Sequence, residues 1–309
     1  MTKFGTSEVM QQGITIVIPT FNGSRWLKKT ITELHKSIKK AKLKKFEIIV
    51  VNDGSTDDTI EVVKNIAKKT RLPLRVYTQV NGGRFVARRT GTNEARYPYL
   101  LFVDTRVFIG EESLSYLLSQ HENDSSKEVW CSHVRVDTVG NIYARFWEAI
   151  AYIAWRDYFS NPRDISYGIN DFDKYPKGTT CFFIKKSILT KANEWFERNT
   201  KDLKDSNDDT LLIRHIAEKN SVNISPHFWC LYHARSKFYP YIKHVFHRGK
   251  VFVDGFLRKD GNTYFWPLVL FLILTALMGI FSLLQPWIVV LFLFVLSIGW
   301  VLELIVIFM

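Results

Sequence analysis

The last 46 residues, 264–309, limit the architecture of this chain more than any other segment. Of these residues 37 are hydrophobic, and Glu303 is the single charged side chain among them. Residues 264–284 and 287–309 are each long enough to cross about 30 Å of hydrocarbon. The sequence therefore predicts two transmembrane helices that form a hairpin. The alternative is a helical hairpin buried in a soluble core.

A basic stretch precedes the first predicted span. Residues 235–259 hold seven Lys and Arg residues against one acidic residue, Asp254. The positive-inside rule therefore places the body of the chain in the cytoplasm. Apolar side chains recur at helical spacing within residues 236–260, which we interpret as an amphipathic juxtamembrane segment. It either lies in the headgroup layer or packs on the body.

The rest of the chain has the composition of a globular body. It carries every charged side chain except Glu303, and the whole chain has a net charge of +12. Three widely spaced cysteines argue against a disulfide scaffold. A second basic stretch, residues 25–45, is either a solvated helix face or a second membrane contact. Nucleic acid, anionic lipid and phosphorylated small molecules are all partners that this charge allows.

Four apolar runs alternate with helical patterns in the first third of the chain. The runs are residues 14–19, 46–51, 74–78 and 99–103. Short runs that are apolar on both faces indicate buried strands, and the segments between them repeat apolar residues every three or four positions. The sequence therefore predicts an α/β domain with a mostly parallel sheet that helices cover on both sides.

Polar side chains follow three of these predicted strands. Asn22, Asp53 and Asp104 each lie just beyond the carboxyl end of a strand. Ligands of such sheets bind at this edge, so we expect a binding site there. The sequence patterns of P-loop nucleoside triphosphatases, dinucleotide-binding dehydrogenases and zinc enzymes do not occur in the chain.

Several segments, in their order and spacing, resemble glycosyltransferase family 2, the inverting group with the Rossmann-like GT-A fold. The four that carry the resemblance are VIPTFN (17–22), VVNDGSTDDT (50–59), NGGRFVARRTG (81–91) and LFVDTR (101–106). Three more resemble the acceptor segment, the ED-x-x-L motif and the closing segment of membrane-attached members: KGTTCFFIKKSIL (177–189), NDDTLL (207–212) and HARSKFYPYIKHVFHRGK (233–250). The resemblance implies a GT-A domain over residues 1–235, ahead of segment 236–260 and the two spans.

The resemblance also implies which residues bind a nucleotide-diphosphate sugar. They are Pro19, Thr20, Asn22, Asp53, Asn81, Gly82, Gly83, Arg88, Asp104 and Arg106. Asp53 would accept a hydrogen bond from the base, because an ionised carboxylate is an acceptor only. The alternative for Asp53 is a turn carboxylate that caps Ser55 or Thr56. Arg88 would face the phosphates or Asp104.

One position departs from the family pattern and bears on the cofactor. Asp104 matches the first aspartate of the D-x-D signature, but Arg106 stands where the second, metal-binding aspartate usually lies. Two hypotheses follow. Either Asp104 and His233 hold Mg²⁺ or Mn²⁺, or Arg106 itself supplies positive charge to the departing diphosphate.

The acidic pair Asp208 and Asp209 matches the position of the catalytic base in the family. We expect Asp209 to act as the base, with Asp208 beside it; the alternative is an acidic helix N-terminus. The implied enzyme transfers a hexose with inversion to a hydroxyl on a lipid-linked or other membrane-associated glycan. A polyprenyl-phosphate acceptor and an inactive, membrane-tethered binding protein are the alternatives, and nucleic acid becomes the least favoured partner.

Two features leave the acceptor and the assembly open. Residues 142–159 are rich in aromatic side chains, which either contact sugar or lipid or pack a helix against the sheet. A homo-oligomer is compatible with the sequence. The nucleotide base, the sugar and the acceptor are not determined by these motifs.

Overall fold

The computed structural model describes residues 8–205 and 207–246, together with Leu270, Ile273, Leu277, Val290 and Phe294. The strands are β1 (Ile14–Thr20), β2 (Phe46–Asp53), β3 (Leu74–Gln79), β4 (Tyr99–Val103), β5 (Val107–Ile109), β6 (Val129–Val136), β7 (Ile165–Tyr167), β8 (Cys181–Lys185) and β9 (Val222–Tyr232). The α-helices are α1 (Glu8–Gln12), α2 (Ser24–Lys40), α3 (Thr59–Thr70), α4 (Gly83–Glu94), α5 (Ser113–Asn123), α6 (Ile142–Ala154), α7 (Arg156–Ser160), α8 (Lys186–Asn199) and α9 (Asp208–Ala217). A 3₁₀ helix spans Ile169–Lys174, and residues 238–246 are also helical.

The strands form one mixed sheet in the order β3-β2-β1-β4-β8-β6-β9-β5, and β7 pairs with β9. The first four strands in this order are parallel, as the alternation of strands and helices predicts. Beyond them β8 runs antiparallel to both β4 and β6. An apolar run does not indicate the direction in which its strand pairs with a neighbour. The sequence pattern therefore did not predict the antiparallel half of the sheet.

Helices cover both faces of the sheet and bury two apolar layers. Helices α2, α3 and α5 pack on one face, and α4, α8 and α9 pack on the other. All seven residues of β1 are buried, which is why its run is apolar on both faces. The carboxyl ends of β1, β2 and β4 therefore open together at one edge of the domain.

Helix α4 lies unusually close to the sheet at Gly91. A Cβ atom at this position would lie 2.3 Å from Cγ1 of Val17 on β1, well inside van der Waals contact. The missing side chain lets the helix approach the strand. Because α4 also carries Arg84 and Arg88, this contact sets how far both arginines reach toward the sheet edge.

The predicted spans, 264–284 and 287–309, and most of the segment 236–260 lie outside the described residues. Among the residues that the structure describes, none of the helices has both the length and the apolar character that a membrane crossing needs. Five residues within the predicted spans are described. All five are helical and apolar, with exposures between 44% and 68%: Leu270, Ile273, Leu277, Val290 and Phe294.

Candidate active site

Asn22 joins the loops that follow β1 and β2. Its side-chain oxygen accepts a hydrogen bond from the amide of Thr56 at 2.8 Å, and its own amide donates to Oγ of Ser55 at 2.9 Å. Its φ of 51° is left-handed, a conformation that asparagine tolerates better than most residues. Pro19 and Thr20 end β1 immediately before this junction and are buried. Two strand-end loops are thereby fixed against each other.

Asp53 binds the start of α4 rather than its own turn. Its carboxylate accepts hydrogen bonds from the amides of Gly82 at 2.8 Å and Gly83 at 2.9 Å. The side chain of Asn81 donates to the Asp53 carbonyl at 3.0 Å. A carboxylate at a helix N-terminus is favoured by the helix dipole. The site residues on β2 and α4 therefore form one unit, and contact of Asp53 with a base stays a prediction.

The alternative role of Asp53 was to cap Ser55 or Thr56, and this prediction is wrong because both amides have other partners. The amide of Ser55 donates to the side chain of Asn52 at 3.1 Å, and the amide of Thr56 donates to Asn22. The turn after β2 is thus held by two asparagines. The Asp53 carboxylate instead accepts hydrogen bonds from the amides of Gly82 and Gly83 and from Nε2 of Gln79 on β3, the last at 2.8 Å.

Arg88 is the centre of a buried cluster of charges. Its guanidinium lies 2.8 Å from Oδ1 of Asp104, 2.7 Å from Oδ2 of Asp208 and 3.3 Å from Oδ1 of Asp209. Arg84, one helical turn earlier, lies 3.3 Å from Oδ1 of Asp208. The structure thereby brings together the first aspartate of the D-x-D signature and both residues of the acidic pair.

The electrostatics of the cluster follow from burial and from the imbalance of its charges. Burial raises the pKa of Asp104, and Arg88 and Arg84 oppose this shift. Burial and the charge of Asp209 raise the pKa of Asp208, while the two arginines lower it. Three carboxylates face two guanidinium groups, so the cluster keeps one net negative charge when all five are ionised.

The two residues of the acidic pair differ in their access to solvent. The Asp208 side chain is 5% exposed and lies against both arginines, whereas the Asp209 side chain is 19% exposed. Asp209 also accepts a hydrogen bond from the hydroxyl of Thr179. Asp208 is therefore placed to hold the arginines, and Asp209 is the member of the pair that a substrate can reach.

Arg84 and Thr179 also contact the acidic pair, and neither was predicted from the sequence, although the sequence contains a signal for each. Arg84 lies four residues before Arg88 on one helix, so both side chains share a face. Thr179 lies just before β8, whose first residue Cys181 pairs with Val103 at the end of β4. An antiparallel neighbour of β4 thus begins where Asp104 lies, but the sequence did not reveal that pairing.

Arg106 and His233 belong to a second group of side chains beside α2. The guanidinium of Arg106 lies 5.1 Å from the ring centroid of Trp26, and Nη1 is buried without a hydrogen-bond partner. His233 packs against Trp26 and Phe108, with ring centroids 5.1 Å and 4.2 Å away. Its Nδ1 lies 2.8 Å from Oδ2 of Asp137. Asp104 and His233 therefore have different sets of partners.

This second group carries excess positive charge. In the described part of the chain, Arg25, Arg106 and Arg235 form no ion pair. Burial lowers the pKa of Arg106, and the like charges of Arg235 and Arg25 lower it further. A bound anion would offset both the cost of burying the Arg106 charge and the repulsion between the three arginines.

In the arrangement observed, the residues considered for a divalent ion fit it only in part. Within residues 8–205 and 207–246, no three His, Cys, Asp or Glu side chains are grouped to hold a metal. Asp104 is paired with Arg88, and a guanidinium occupies the position of the second aspartate. His233 Nε2 is buried and has no hydrogen-bond partner, with Nδ1 on a carboxylate, which is the usual form of a ligating histidine.

The mixed sheet and the acidic residues at its strand ends define a GT-A type α/β domain. The family model for glycosyl transferase family 2 matches residues 15–191, which is more than half of the chain. The chain belongs to this family, and the resemblance drawn from its motifs is confirmed.

Two curated relatives match shorter parts of the chain. An uncharacterized glycosyltransferase of Haemophilus influenzae is 31% identical over 112 residues, which cover 35% of this chain and 43% of that protein. The poly(ribitol-phosphate) beta-N-acetylglucosaminyltransferase TarS of Staphylococcus aureus is 30% identical over 115 residues, which cover 36% of this chain and 19% of TarS. The matched regions span less than half the length of these relatives.

Solved structures share the fold at low sequence identity. TarS 1-349 in complex with UDP superimposes with a TM-score of 0.50 and 16% identity, covering 80% of this chain and 67% of that chain. The mannosyltransferase PcManGT from Pyrobaculum calidifontis, in complex with GDP-Man and Mn²⁺, gives a TM-score of 0.54 and 15% identity, covering 81% and 65%. At these identities the likeness establishes the fold alone.

The Arg88 cluster yields a test by stability. Replacing Arg88 with Met leaves three carboxylates without their central cation, and we expect the free energy of unfolding to fall by about 3–5 kcal/mol. Arg84→Met is the matched control on the same helix face. Its side chain is 42% exposed, so the expected loss is below about 1 kcal/mol. Urea unfolding at pH 7 measures both.

A double variant separates charge from packing. In an Arg88→Met background, Asp208→Asn removes one uncompensated carboxylate and is expected to recover part of the lost stability. Equal losses in the Arg88 and Arg84 variants, or no recovery in the double variant, would contradict the assignment of Arg88 as the central cation.

Proposed function

We propose that the chain transfers a sugar, with inversion, from a nucleotide-diphosphate sugar to a hydroxyl group of a membrane-associated, lipid-linked glycan. The observation that carries this proposal is the placement of Asp209 beside Asp104 and Arg88 at the edge where ligands of such sheets bind. Family membership supports it. Similar proteins also support it. TarS is an acetylglucosaminyltransferase whose structure was solved in complex with UDP, and the structure of the mannosyltransferase PcManGT contains GDP-Man.

Asp209 serves as the general base in this proposal. A base must be ionised and reachable by the acceptor, and the 19% exposure of its side chain meets the second condition better than the 5% of Asp208. Thr179 and Arg88 both donate hydrogen bonds to Oδ1 of Asp209. The acceptor hydroxyl would approach the other carboxylate oxygen, Oδ2, which lies 4.0 Å from Nη1 of Arg84.

The reaction is a single displacement at the anomeric carbon. Asp209 takes the proton of the acceptor hydroxyl as the acceptor oxygen forms its bond to that carbon. The bond from the carbon to the diphosphate oxygen breaks on the opposite face, and the electron pair leaves with the nucleoside diphosphate. One glycosidic bond replaces one glycosyl-phosphate bond, and the configuration inverts.

The departing diphosphate needs positive charge, and the cluster around Arg88 has none to spare. Among the described residues Arg25, Arg106 and Arg235 form no ion pair, and Arg106 lies two residues after Asp104, so we propose that Arg106 contacts the diphosphate. A divalent ion held by Asp104 and His233 is the competing hypothesis. The orphaned Nε2 of His233 and the Mn²⁺ in the PcManGT complex favour it.

The charge of the site favours a hydroxyl acceptor over a lipid phosphate. A phosphomonoester is already ionised near neutral pH and needs no base. It would also be repelled by a cluster that retains a net negative charge. We further propose that the predicted hairpin anchors the enzyme, with the catalytic body on the cytoplasmic side. The exposed helical residues Leu270, Ile273 and Leu277 support a lipid-facing surface.

The transfer itself is tested with a panel of UDP-, GDP- and dTDP-sugars and membrane lipid extract as acceptor. We expect radiolabelled sugar to enter the lipid phase and to resist mild acid, because a glycosidic bond survives conditions that cleave a glycosyl phosphodiester. If the label is lost in mild acid, the acceptor is a lipid phosphate and not a hydroxyl group. Absence of transfer with every donor would overturn the proposal.

The role of Asp209 is tested by Asp209→Asn, which keeps the size of the side chain but removes the base. The turnover rate is expected to fall by about 10²–10⁴-fold, while the KM for the donor changes little. Asp205→Asn, an exposed carboxylate four residues earlier, is the matched control and should retain wild-type turnover. Wild-type turnover in Asp209→Asn would remove the base assignment.

The source of charge on the diphosphate is tested by combining Arg106→Ala with metal removal. If Arg106 supplies it, wild-type activity persists in excess EDTA and Arg106→Ala loses about 10²-fold in kcat/KM, a typical cost of removing one preorganised charge. Arg25→Ala, in the same basic group but exposed, should cost less. Loss of wild-type activity in EDTA with recovery on adding Mn²⁺ would instead support the ion.

A further inference from the structure

Helix α6 has an unusual combination of composition and exposure. Among its 13 residues Arg145 and Glu148 are the charged ones, and most of the others are apolar. A helix that is apolar nearly all round is normally buried in a protein core or a membrane. In α6, however, Ala144 is the one buried residue. The helix contacts β6, but most of its residues remain exposed or half-buried, so its apolar surface requires another explanation.

One side of α6 packs on the helix at residues 238–246. The ring of Tyr241 lies 4.5 Å from that of Tyr143 and 6.3 Å from that of Trp147, measured between centroids. His244 lies 5.4 Å from Trp147 in the same way. The two helices thus form one layer through aromatic contacts, and this layer stands outside the two cores of the sheet.

Away from the contact between the two helices, this layer exposes an apolar surface. This outward surface is formed by the exposed large hydrophobic residues of both helices: Ile142, Ile150, Tyr152, Ile153, Phe238, Tyr239 and Phe246. Ile153 is 63% exposed and Phe246 is 76% exposed. Single exposed hydrophobic residues are common on soluble proteins, but a cluster on two adjacent helices marks an interaction site.

The chain itself indicates what covers this outward surface. The 238–246 helix leads within 20 residues to the predicted spans, so it is the part of the body next to the proposed membrane anchor. Lys237 and Lys243 are exposed among its aromatic residues. Aromatic rings with nearby lysines are typical of segments at the boundary between headgroups and acyl chains.

We propose that α6 and the 238–246 helix dock together on the lipid bilayer through this outward surface, with α6 as a second interfacial element. The proposal rests on the membrane attachment proposed above and not on the transfer reaction. It predicts that Ile150 and Ile153, which lie about 90 residues before the nearest part of the 238–246 helix in sequence, contact lipid.

Docking of this layer would orient the active site. The side chain of Asn141, which caps α6, donates to the carbonyl of Arg235 at 3.4 Å. Asp137, in the loop before α6, holds His233. The layer is therefore tied to the residues beside Arg106, and a docked layer would bring that edge of the sheet to the headgroups, where a lipid-linked acceptor resides.

Fluorescent labels on single introduced cysteines test the proposal in the full chain. Cys131, Cys181 and Cys230 are buried, so a label attaches to the introduced residue. The test variants are Ile153→Cys and Phe246→Cys, and Leu277→Cys reports on the predicted span. Val80→Cys is the matched control, because Val80 is a 90% exposed apolar residue outside the layer. Each protein is reconstituted in phosphatidylcholine–phosphatidylglycerol vesicles.

Quenching by nitroxide-labelled lipid and by aqueous iodide gives a distinct result for each outcome. We expect nitroxide lipid to reduce the emission at residues 153 and 246 by about twofold or more, as it does for groups at the acyl boundary, and to leave residue 80 unchanged. Iodide should quench residue 80 alone.

Two results would overturn the inference. Quenching of residue 153 by iodide would show that α6 faces water. Protection of residue 153 from both quenchers would place it against a second copy of the chain or another protein. Quenching by nitroxide lipid at residue 277 but not at 153 would separate failure of this inference from failure of membrane attachment. The sugar-transfer assay does not use any of the four labels.

Discussion

The ion pairs of Arg88 connect the parts of this site that come from distant segments of the chain. One guanidinium reaches Asp104 at the end of β4 and Asp208 and Asp209 at the start of α9. A buried charge is tolerated when it is paired and hydrogen-bonded, and here each group supplies the partner of another. The position of α4 matters for the same reason, because Gly91 lets this helix approach the sheet closely enough for Arg88 to make the contacts.

Much of the first half of the fold followed from the sequence. Four apolar runs gave β1 to β4 with bounds within two residues of those observed, and the rule for ligand sites in parallel sheets placed Asn22, Asp53 and Asp104 at one edge. Their bonding partners did not follow. The sequence contains the carboxylate of Asp53, but only the folded chain shows that the amides of Gly82 and Gly83 occupy it.

The rest of the site depends on contacts between residues far apart in sequence. Arg88 and Asp208 are separated by 120 positions, and no periodicity records such a pairing. Thr179 enters the site because β8 runs antiparallel to β4, which the pattern of β8 did not specify. The roles assigned to individual residues and the two membrane spans stay predictions, because geometry shows proximity and not chemistry.

The two basic groups of the site have different uses for their charge. Arg84 and Arg88 are matched by carboxylates and hold the acidic pair in place, whereas Arg25, Arg106 and Arg235 are unmatched within the described residues. The first group fixes the position of the proposed base, and the second creates a positive electrostatic potential that would attract an anionic ligand. The proposed base and the proposed leaving group would therefore lie in separate electrostatic surroundings.

The contact at Gly83 has a consequence for how this sequence can vary. This residue has a φ of 87°, and a Cβ added there would lie 2.5 Å from the carbonyl oxygen of Lys204 and 2.9 Å from its Cα. The colliding atoms belong to the backbone of residue 204, so residue 83 is confined to glycine, while the Lys204 side chain itself donates to the carbonyl of Asn81 at 3.2 Å. The spacing between the loop that holds Asp53 and the segment that precedes Asp209 is thus set by two backbones in contact. Any side chain at residue 83 would therefore push apart the loop that holds Asp53 and the segment that precedes Asp209.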